Sequence, residues 1–250
     1  MSSGHLALLA VMLGAGFFVE AVAGFGGTVV AVSLGATQFP IAAVLAVFLP
    51  LNLVLSAYLA VRHRRAIAGQ VLATRILPAM LVGLGIGTAL ALALEAERAK
   101  LGFAVLVVAI ALRDLRRLAA PSPPSHRVLP PAAQLGVLGA AGIVHGLFAT
   151  GGPLAVAVAS RVLPGKATLR ATLAVLWFTL NVLVVARLAA DGHLGPTQLG
   201  YAAAVAPVLA VALAAGEWVH HRVSEAHFRW LVAGLLLTTG VVLLVRSWPA

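Results

Sequence analysis

The sequence predicts an all-α polytopic membrane protein, and three observations support that fold class. Of the 250 residues, 62% are apolar and 10% are charged, whereas a soluble domain carries about 25% charged residues. The apolar residues form long runs, most of them near the length of about 20 residues that a membrane-spanning helix needs. The second half of the chain also repeats the pattern of the first half. The runs cover residues 6–34, 41–61, 71–94, 101–112, 132–159, 171–188, 201–219 and 231–244.

The first runs of the two halves pair at an offset of 126 residues, and a three-residue insertion around 163–167 raises the offset to 129 for the later runs. Residues 48–52 read Phe-Leu-Pro-Leu-Asn, and residues 177–181, which lie 129 positions later, read Trp-Phe-Thr-Leu-Asn. The same offset carries Pro78 onto Pro207. We therefore predict two repeats of four segments each, joined by a proline-rich linker. The first repeat is residues 1–118 (broken helix 6–34, helices 41–61, 71–94 and 98–118), the linker is 119–131, and the second repeat is 132–250 (broken helix 132–160, helices 171–188, 200–220 and 226–246).

Each repeat is predicted to begin with a helix that glycine interrupts. The interruptions are Gly24, Phe25, Gly26, Gly27 and Thr28 in the first segment, and Thr150, Gly151, Gly152 and Pro153 in the second. Glycine is the poorest helix former after proline, and unwound backbone at membrane depth is tolerated only where protein or a water-filled cavity covers it. We therefore expect two broken-helix tips that face each other across a site for a small solute. A lone glycine rather indicates helix packing, which we expect for Gly83-x-x-x-Gly87.

The basic residues bear on whether the broken segments cross the membrane or turn back. If every segment crosses once and the loop 62–65 is inside, ten Lys and Arg residues fall inside and seven outside. If both broken segments are re-entrant hairpins, the split becomes 13 inside and four outside. The hairpin arrangement agrees better with the positive-inside rule, and it makes the two repeats inverted. Crossing and re-entry both stay open at this point.

The remaining composition excludes several classes of protein. We attribute the net charge of +10 to basic loops beside anionic lipid, and we expect no nucleic-acid partner. The chain contains no cysteine, and no His, Asp or Glu group has metal-ligand spacing, so neither a metal nor a cofactor is expected. The first four residues lack a basic n-region, so we predict no cleaved signal peptide.

Both glycine stretches resemble those of a known family. The run Ala-Gly-Phe-Gly-Gly at 23–27, the run Gly-Leu-Phe-Ala-Thr-Gly-Gly-Pro at 146–153 and a length near 250 residues are similar to the TauE/SafE sulfite exporters, also called the toluene-sulfonate uptake permease family. The resemblance covers essentially the whole chain. It implies a transporter of sulfur-containing organic or inorganic anions in the bacterial inner membrane. It does not specify the anion, and the direction of transport differs between members.

A sulfite or sulfonate anion loses water inside a bilayer and then needs hydrogen-bond donors. No Lys or Arg lies centrally in an apolar run, and the nearest, Arg75 and Arg187, lie close to helix ends. The predicted donors are therefore backbone N–H groups where the broken half-helices begin, supported by the helix dipole and by the hydroxyls of Thr28 and Thr150. Pro153 suits the first position of a new helix, where its missing N–H is not needed.

Four polar side chains inside the apolar runs complete the predicted site. Asn52 and Asn181 occupy matching positions in the second helix of each repeat, and each is expected either to tie the structure together or to contact the anion. Glu20 is the only carboxylate deep in an apolar run, and His145 lies at nearly the same place in the second repeat. Intramembrane ionisable groups are functional candidates by default, so both are candidates for proton coupling. A purely structural role is the alternative.

The expected function is a secondary transporter or facilitator that moves sulfite or small organosulfonate anions across the inner membrane. Export is favoured because a charge gains about 2.3 kcal/mol per 100 mV, and an anion leaves a negative interior downhill. The alternatives are a proton- or sodium-coupled importer of organosulfonates or another small anion, a membrane-embedded enzyme and a subunit of a larger complex. The expected partners are the anion and the lipid bilayer, and a homodimer is left open.

Overall fold

The structure is a computed structural model that describes residues 2–23, 25–120, 129–163, 165–220, 222 and 224–247. Within these ranges the chain is helical and contains no strand, which confirms the predicted all-α class. Most of the predicted linker, residues 121–128, and Gly24 of the first glycine run lie outside the described residues. The helices are α1 (Ser3–Ala23), α2 (Gly27–Gly35), α3 (Ile41–Arg62), α4 (Gly69–Val71), α5 (Leu77–Ala93), α6 (Ala96–Ala119), α7 (Pro131–Phe148), α8 (Gly152–Val162), α9 (Gly165–Ala190), α10 (Pro196–His220) and α11 (Glu225–Ser247).

Seven spans in the described ranges are long and apolar enough to cross a membrane. They lie in α1, α3, α7, α9, α10 and α11, and in α4 and α5 together, which a π-helical turn at Leu72–Ile76 joins into one span. The helix α6 is not among the seven because charged residues flank a short apolar middle, and α8 is a shorter apolar helix. Large apolar side chains such as Val11, Val82 and Val245 stand about two-thirds exposed, which suits contact with lipid rather than water. The protein is therefore a multi-pass membrane protein.

The helices group into two compact units that interleave segments of both predicted repeats. Unit 1 contains Met1–Leu45, Leu94–Ser125 and Gly200–Ala250, and unit 2 contains Ala46–Ala93 and His126–Leu199. The units describe which helices pack together, whereas the repeats describe which segments correspond in sequence. The division of the chain into repeats at 1–118 and 132–250, and their inversion, stay predictions.

In unit 1 the short helix α2 folds back along α1. A Cβ atom built on Gly16 would lie 2.6 Å from the Cβ of Ala31 and 2.6 Å from the carbonyl oxygen of Gly27, so the two helices run side by side. At the other end of the pair, the ring of His5 lies 6.2 Å from the ring of Phe39, which follows α2. The chain therefore enters and leaves this pair of helices at the same end.

The rest of unit 1 supports the pair. Close contacts at glycine join α1 to α10, where a Cβ on Gly14 would lie 2.8 Å from Val208 and a Cβ on Gly216 would lie 3.1 Å from the carbonyl oxygen of Phe18. Helix α11 packs against α6 and α2. The guanidinium Nη1 of Arg246, in the last turn of α11, donates a 2.8 Å hydrogen bond to the carbonyl oxygen of Thr37.

In unit 2 the tightest packing joins α5 to α7. A Cβ atom built on Gly83 of α5 would lie 2.9 Å from the Cα of Gly142 on α7. A Cβ atom built on Gly142 would lie 2.9 Å from the Cα of Met80 on α5. A Cβ on Gly146 would lie 2.8 Å from the amide nitrogen of Thr88. Such backbone-to-backbone contact leaves no room for a side chain, so Gly83-x-x-x-Gly87 packs helices together, as expected.

Candidate functional site

In unit 1 the chain reverses direction between α1 and α2 at the first glycine run. Gly26 has φ 87°, in the left-handed region that favours glycine, and a Cβ there would meet no described atom within 4 Å. Gly27 begins α2 and is buried, because a Cβ there would lie 2.6 Å from the carbonyl oxygen of Gly16 and 2.5 Å from Oε2 of Glu20. Gly27 is thus needed for packing, whereas Gly26 borders open space.

Glu20 places a carboxyl group beside the N-terminus of α2. The side chain is buried, has interaction partners, and has one oxygen against the backbone of Gly27. The start of a helix carries partial positive charge, which favours a negative group. The protein's own carboxyl group therefore stands where the sequence predicts the bound anion. Phe25 and Thr28, the other described members of this run, are half-buried.

In unit 2 the chain reverses between α7 and α8. Ala149 has φ 54°, and its N–H donates a 2.7 Å hydrogen bond to the carbonyl oxygen of His145. Gly151 precedes α8 and packs on α7, because a Cβ there would collide with the carbonyl oxygen of Ala141 and lie 3.0 Å from the Cβ of His145. Gly152 has more room, since its nearest described neighbour would be Trp177 at 3.9 Å. Pro153 lies in the first turn of α8, where its missing N–H is tolerated.

Thr150 presents a buried hydroxyl with no partner. The residue is 1% exposed, and Oγ1 forms no hydrogen bond within the described part of the chain. Buried polar atoms are nearly always bonded, and an unsatisfied one costs about 1–3 kcal/mol. The hydroxyl directly precedes the two glycines from which α8 begins. A free donor next to a helix N-terminus is what an anion site presents.

A chain of hydrogen bonds connects the predicted polar side chains of unit 2. The hydroxyl of Ser56 donates to Oδ1 of Asn52 over 3.3 Å, and Nδ2 of Asn181 donates to the same oxygen over 2.8 Å. Oδ1 of Asn181 lies 3.0 Å from Nε2 of His145. Because Asn181 uses its amide N–H toward Asn52, its oxygen accepts from His145, so Nε2 of His145 carries a hydrogen. All of Asn52, Asn181 and His145 are buried.

Two further side chains border this cluster. The ring of Trp177 stacks on the ring of His145, with centroids 5.7 Å apart and planes 14° apart, and the same tryptophan is the nearest neighbour of Gly152. Nη1 of Arg187 donates to the carbonyl oxygen of Gly146 over 3.4 Å, near the end of α7. A cation at a helix C-terminus stabilises the exposed carbonyl groups. Arg187 therefore caps the helix that leads into the second break.

The charges of unit 2 are strongly unbalanced. Its residues include nine Lys and Arg but a single acid, Asp191. Nε of Arg187 lies 3.4 Å from Oδ2 of Asp191, so that acid already has a cation beside it. Unit 1 includes eight basic residues and six acids, with Glu20 among them. Unit 2 is therefore the part of the protein whose composition suits an added negative charge.

The structure brings together several of the predicted site residues. Asn52, Asn181 and His145 form one cluster, with Gly151 beside His145, and Glu20 lies beside Gly27 in the other unit. That the two tips face each other, and that Glu20 and His145 act as a couple, stay predictions. The sequence undervalued Arg187, because its place near a helix end did not reveal that it caps α7. The sequence also gave no signal for Ser56, whose partner lies one helical turn before it on α3.

A family model described as "Sulfite exporter TauE/SafE" matches residues 8–243, nearly the whole chain. The chain belongs to the TauE/SafE family. The resemblance that the two glycine stretches carried is thereby confirmed. No match was found among curated proteins or among solved structures.

Membership of TauE/SafE narrows the function. The family is one of transporters, so the chain is a membrane transport protein and not an enzyme. The family description points to sulfite or a related small anion as the solute. It also agrees with the membrane-length helices of both units.

Proposed function

We propose that this protein moves sulfite or small organosulfonate anions across the bacterial inner membrane, and that the anion binds at the second break, where α8 begins. The observation that carries the proposal is the buried hydroxyl of Thr150, which lies beside that helix N-terminus and has no hydrogen-bond partner in the described part of the chain. The N–H groups in the first turn of a helix have no intrahelical acceptor. Three oxygens of a sulfite or sulfonate group can accept from such N–H groups and from the hydroxyl together.

The backbone conformation supports an approach by the anion at Gly152. Helix α7 occupies the space over the Cα atom of Gly151, whereas the space over the Cα atom of Gly152 is free. Trp177 lies at the edge of that space and offers an apolar surface for the organic part of a sulfonate. The excess of basic residues in unit 2 further favours an anion over a cation.

The first break has a different place in the proposal. The residues proposed to contact an anion at the start of α2 are Phe25, Gly26, Gly27 and Thr28. The carboxyl group of Glu20, however, already stands beside this helix start. Like charges at close range repel, so an anion binds there only when Glu20 is neutral or has moved. The second break is therefore the stronger site. Asn52 and Asn181 bond to each other, which supports a structural tie.

Re-entrant segments are part of this proposal. The side-by-side packing of α1 and α2, and the contact of His5 with Phe39, support a hairpin that enters and leaves on one side. At the second break, the contact of Gly151 with Ala141 supports a reversal of the chain as well. Two inverted repeats with re-entrant first segments follow from these reversals and from the distribution of basic residues.

The membrane potential favours export of an anion that crosses without a coupled ion, by about 2.3 kcal/mol per charge per 100 mV. A facilitator could therefore export sulfite without a coupled ion. The alternative is a proton- or sodium-coupled importer, and the buried ionisable groups Glu20 and His145 support it.

Binding to the purified protein tests the proposed site. A thermal-shift panel of sulfite, sulfate, thiosulfate, isethionate, taurine and sulfoacetate should show stabilisation by at least one sulfur anion. Thr150→Val removes only the hydroxyl, and the affinity for that anion should fall about tenfold or more, since a hydrogen bond to a charged group contributes about 1.5–3 kcal/mol. The fold should persist, because the hydroxyl has no hydrogen-bond partner among the residues that the structure describes.

Ser33→Ala is the matched control. Ser33 carries another fully buried hydroxyl without a partner in the described ranges, and it lies inside α2, in the other unit. Its removal should leave the affinity unchanged. An unchanged affinity in Thr150→Val would remove the hydroxyl from the site, and the absence of any anion effect on the wild type would contradict the proposed function itself.

A further inference from the structure

One ring nitrogen of His145 is committed and the other is not. Nε2 donates to Asn181, whose own amide is held by Asn52 and, through it, by Ser56. Nδ1 is buried without a hydrogen-bond partner in the described part of the chain, and the residue is 2% exposed. Since Nε2 already carries a hydrogen, Nδ1 holds a lone pair, and any further proton on this histidine must bind there.

Within the described part of unit 2, the surroundings of His145 offer no negative charge to a second proton. The helix α5 that packs on α7 has no ionisable residue, the π-helical turn before it carries Arg75, and α8 carries Arg161. The described ionisable side chains of α9 are Arg170 and Arg187, and α3 contributes Tyr58 and Arg62. Asp191, the only acid of unit 2, pairs with Arg187. A buried imidazolium would therefore lack a counter-charge from unit 2 until an anion arrives.

The position of His145 makes that anion the one bound at the second break. Its Cβ lies against Gly151, and its ring stacks on the tryptophan that borders Gly152. Thr150, whose buried hydroxyl also lacks a hydrogen-bond partner in the described part of the chain, follows His145 by five positions. Nδ1 of His145 and Oγ1 of Thr150, two buried atoms without hydrogen-bond partners in the described residues, thus lie close together in the sequence, just before α8.

We propose that the second break binds an anion together with one proton, and that Nδ1 of His145 holds the proton. This inference rests on the proposed function and deepens it. The proton comes from water, binds the lone pair of Nδ1, and forms an N–H donor that bonds to an oxygen of the anion beside Thr150. When the anion leaves, the proton returns to water. Asn181 is a positioning residue, because it keeps Nε2 protonated and so directs the second proton to Nδ1.

The charge balance has a direct consequence for transport. A monovalent sulfonate that moves with one proton carries no net charge, so its flux responds to the pH gradient and not to the membrane potential. A sulfite dianion with one proton still carries one negative charge and responds to the potential. The substrate's own charge therefore decides which gradient drives it.

Proton uptake on binding tests the inference. Isethionate is the probe, because its sulfonate group does not titrate between about pH 5 and pH 9, so any pH dependence belongs to the protein. Adding it to the purified protein in weak buffer with a pH dye should remove about one proton per bound anion. By linkage, the Kd should increase as the pH is raised, by up to about tenfold per pH unit over the range in which this proton uptake occurs.

Three variants separate the proton from the fold. His145→Gln keeps a donor toward Asn181 but cannot titrate, so it should still bind isethionate, more weakly, without proton uptake and with a Kd independent of pH. Asn181→Asp supplies a carboxylate to His145 permanently, so the histidine should stay protonated and the uptake should fall toward zero. His193→Gln, at an exposed histidine of the same unit, should behave like the wild type.

The outcomes are distinguishable. If the wild type binds isethionate without proton uptake and with a Kd that is flat in pH, this inference is wrong and the proposed function stands. If His145→Gln retains the uptake of the wild type, another group holds the proton and the assignment to Nδ1 is wrong. If neither isethionate nor sulfite binds at any pH, the proposed function and this inference both fail.

Discussion

The first broken segment, α1 and α2, turns at a glycine and has an acid beside the new helix, whereas the second, α7 and α8, turns at an alanine and has a histidine. Gly26 takes the left-handed conformation in one and Ala149 in the other. Glu20 stands against the start of α2, and His145 stands against the start of α8. A helix N-terminus attracts negative charge, and a carboxyl group of the protein stands beside the first one, whereas the described residues place a histidine beside the second. Two segments with the same glycine pattern therefore differ in chemistry.

The largest effect is expected where the second segment is held. Gly87→Leu should abolish folding or cost about 3 kcal/mol or more, because a side chain there would collide with the backbone of Ile143 on α7. Gly85→Leu lies on the same helix with nothing within 4 Å in the described ranges, and it should fold normally. Thermal unfolding in detergent compares the two variants. Equal stability would show that close packing of α5 on α7 does not support the second break.

Next in size is an exchange of chemistry between the two breaks. Thr150→Asp places a carboxylate before α8, as Glu20 does beside α2, and it should weaken binding of sulfonate about a hundredfold or more through like-charge repulsion. Glu20→Gln removes the acid from the first break and should leave the affinity unchanged or raise it. Titration calorimetry with isethionate measures both. A large loss in Glu20→Gln together with tight binding in Thr150→Asp would reverse the assignment of the stronger site.

A smaller difference in stability is expected between variants of Arg187 and Arg246, which each donate a hydrogen bond to a backbone carbonyl group in or beside a broken segment. Arg187→Ala should cost about 1–2 kcal/mol, because the side chain is largely buried, pairs with Asp191 and caps α7. Arg246→Ala should cost about 0.5 kcal/mol, because its bond to the carbonyl oxygen of Thr37 is exposed. Denaturant unfolding gives both differences. The opposite order would mean that the first segment depends more on its arginine.

The smallest effects are expected from substitutions at the two turn residues with a left-handed conformation, Ala149 and Gly26. Ala149→Gly should stabilise the protein by up to about 1 kcal/mol, because φ 54° is unfavourable for a residue with a Cβ atom. Gly26→Ala should destabilise it by about 1 kcal/mol at φ 87°, although the space there is open. Unfolding temperatures of the two variants should therefore move in opposite directions. A shared direction would exclude the left-handed turn as the cause.

Much of this fold is legible in the sequence, because apolar runs mark the membrane helices and dense glycine marks the breaks. What the sequence could not predict is which neighbour each glycine meets. The four glycines look alike in sequence, yet the preceding helix fills the space over the Cα atoms of Gly27 and Gly151, whereas that over Gly26 and Gly152 is open in the described ranges. A missing side chain shows that something approaches closely, but only tertiary packing shows whether that is another helix or a ligand.

The polar cluster was predictable in part. The offset of 129 residues selected Asn52 and Asn181, and His145 stood out as an ionisable group in an apolar run. Their mutual contacts, and the stacking on Trp177, depend on how α3, α7 and α9 meet in unit 2, which no local pattern records. The role of Arg187 was hidden for the same reason. Its partner is a carbonyl group 41 positions earlier in the chain.

The contact between Asn52 and Asn181 joins two like side chains at positions that correspond between the halves of the chain. A pair of carboxamides that meet in this way cannot be equivalent, because one has to give a hydrogen and the other has to take it. The carboxamide that donates its N–H keeps a carbonyl oxygen that this hydrogen bond does not use. Here the unused oxygen belongs to Asn181 and accepts a hydrogen bond from the imidazole of His145, whereas the first half has a carboxyl group, that of Glu20, at nearly the same place in the sequence. Two side chains that correspond in sequence therefore have different hydrogen-bonding roles in the structure.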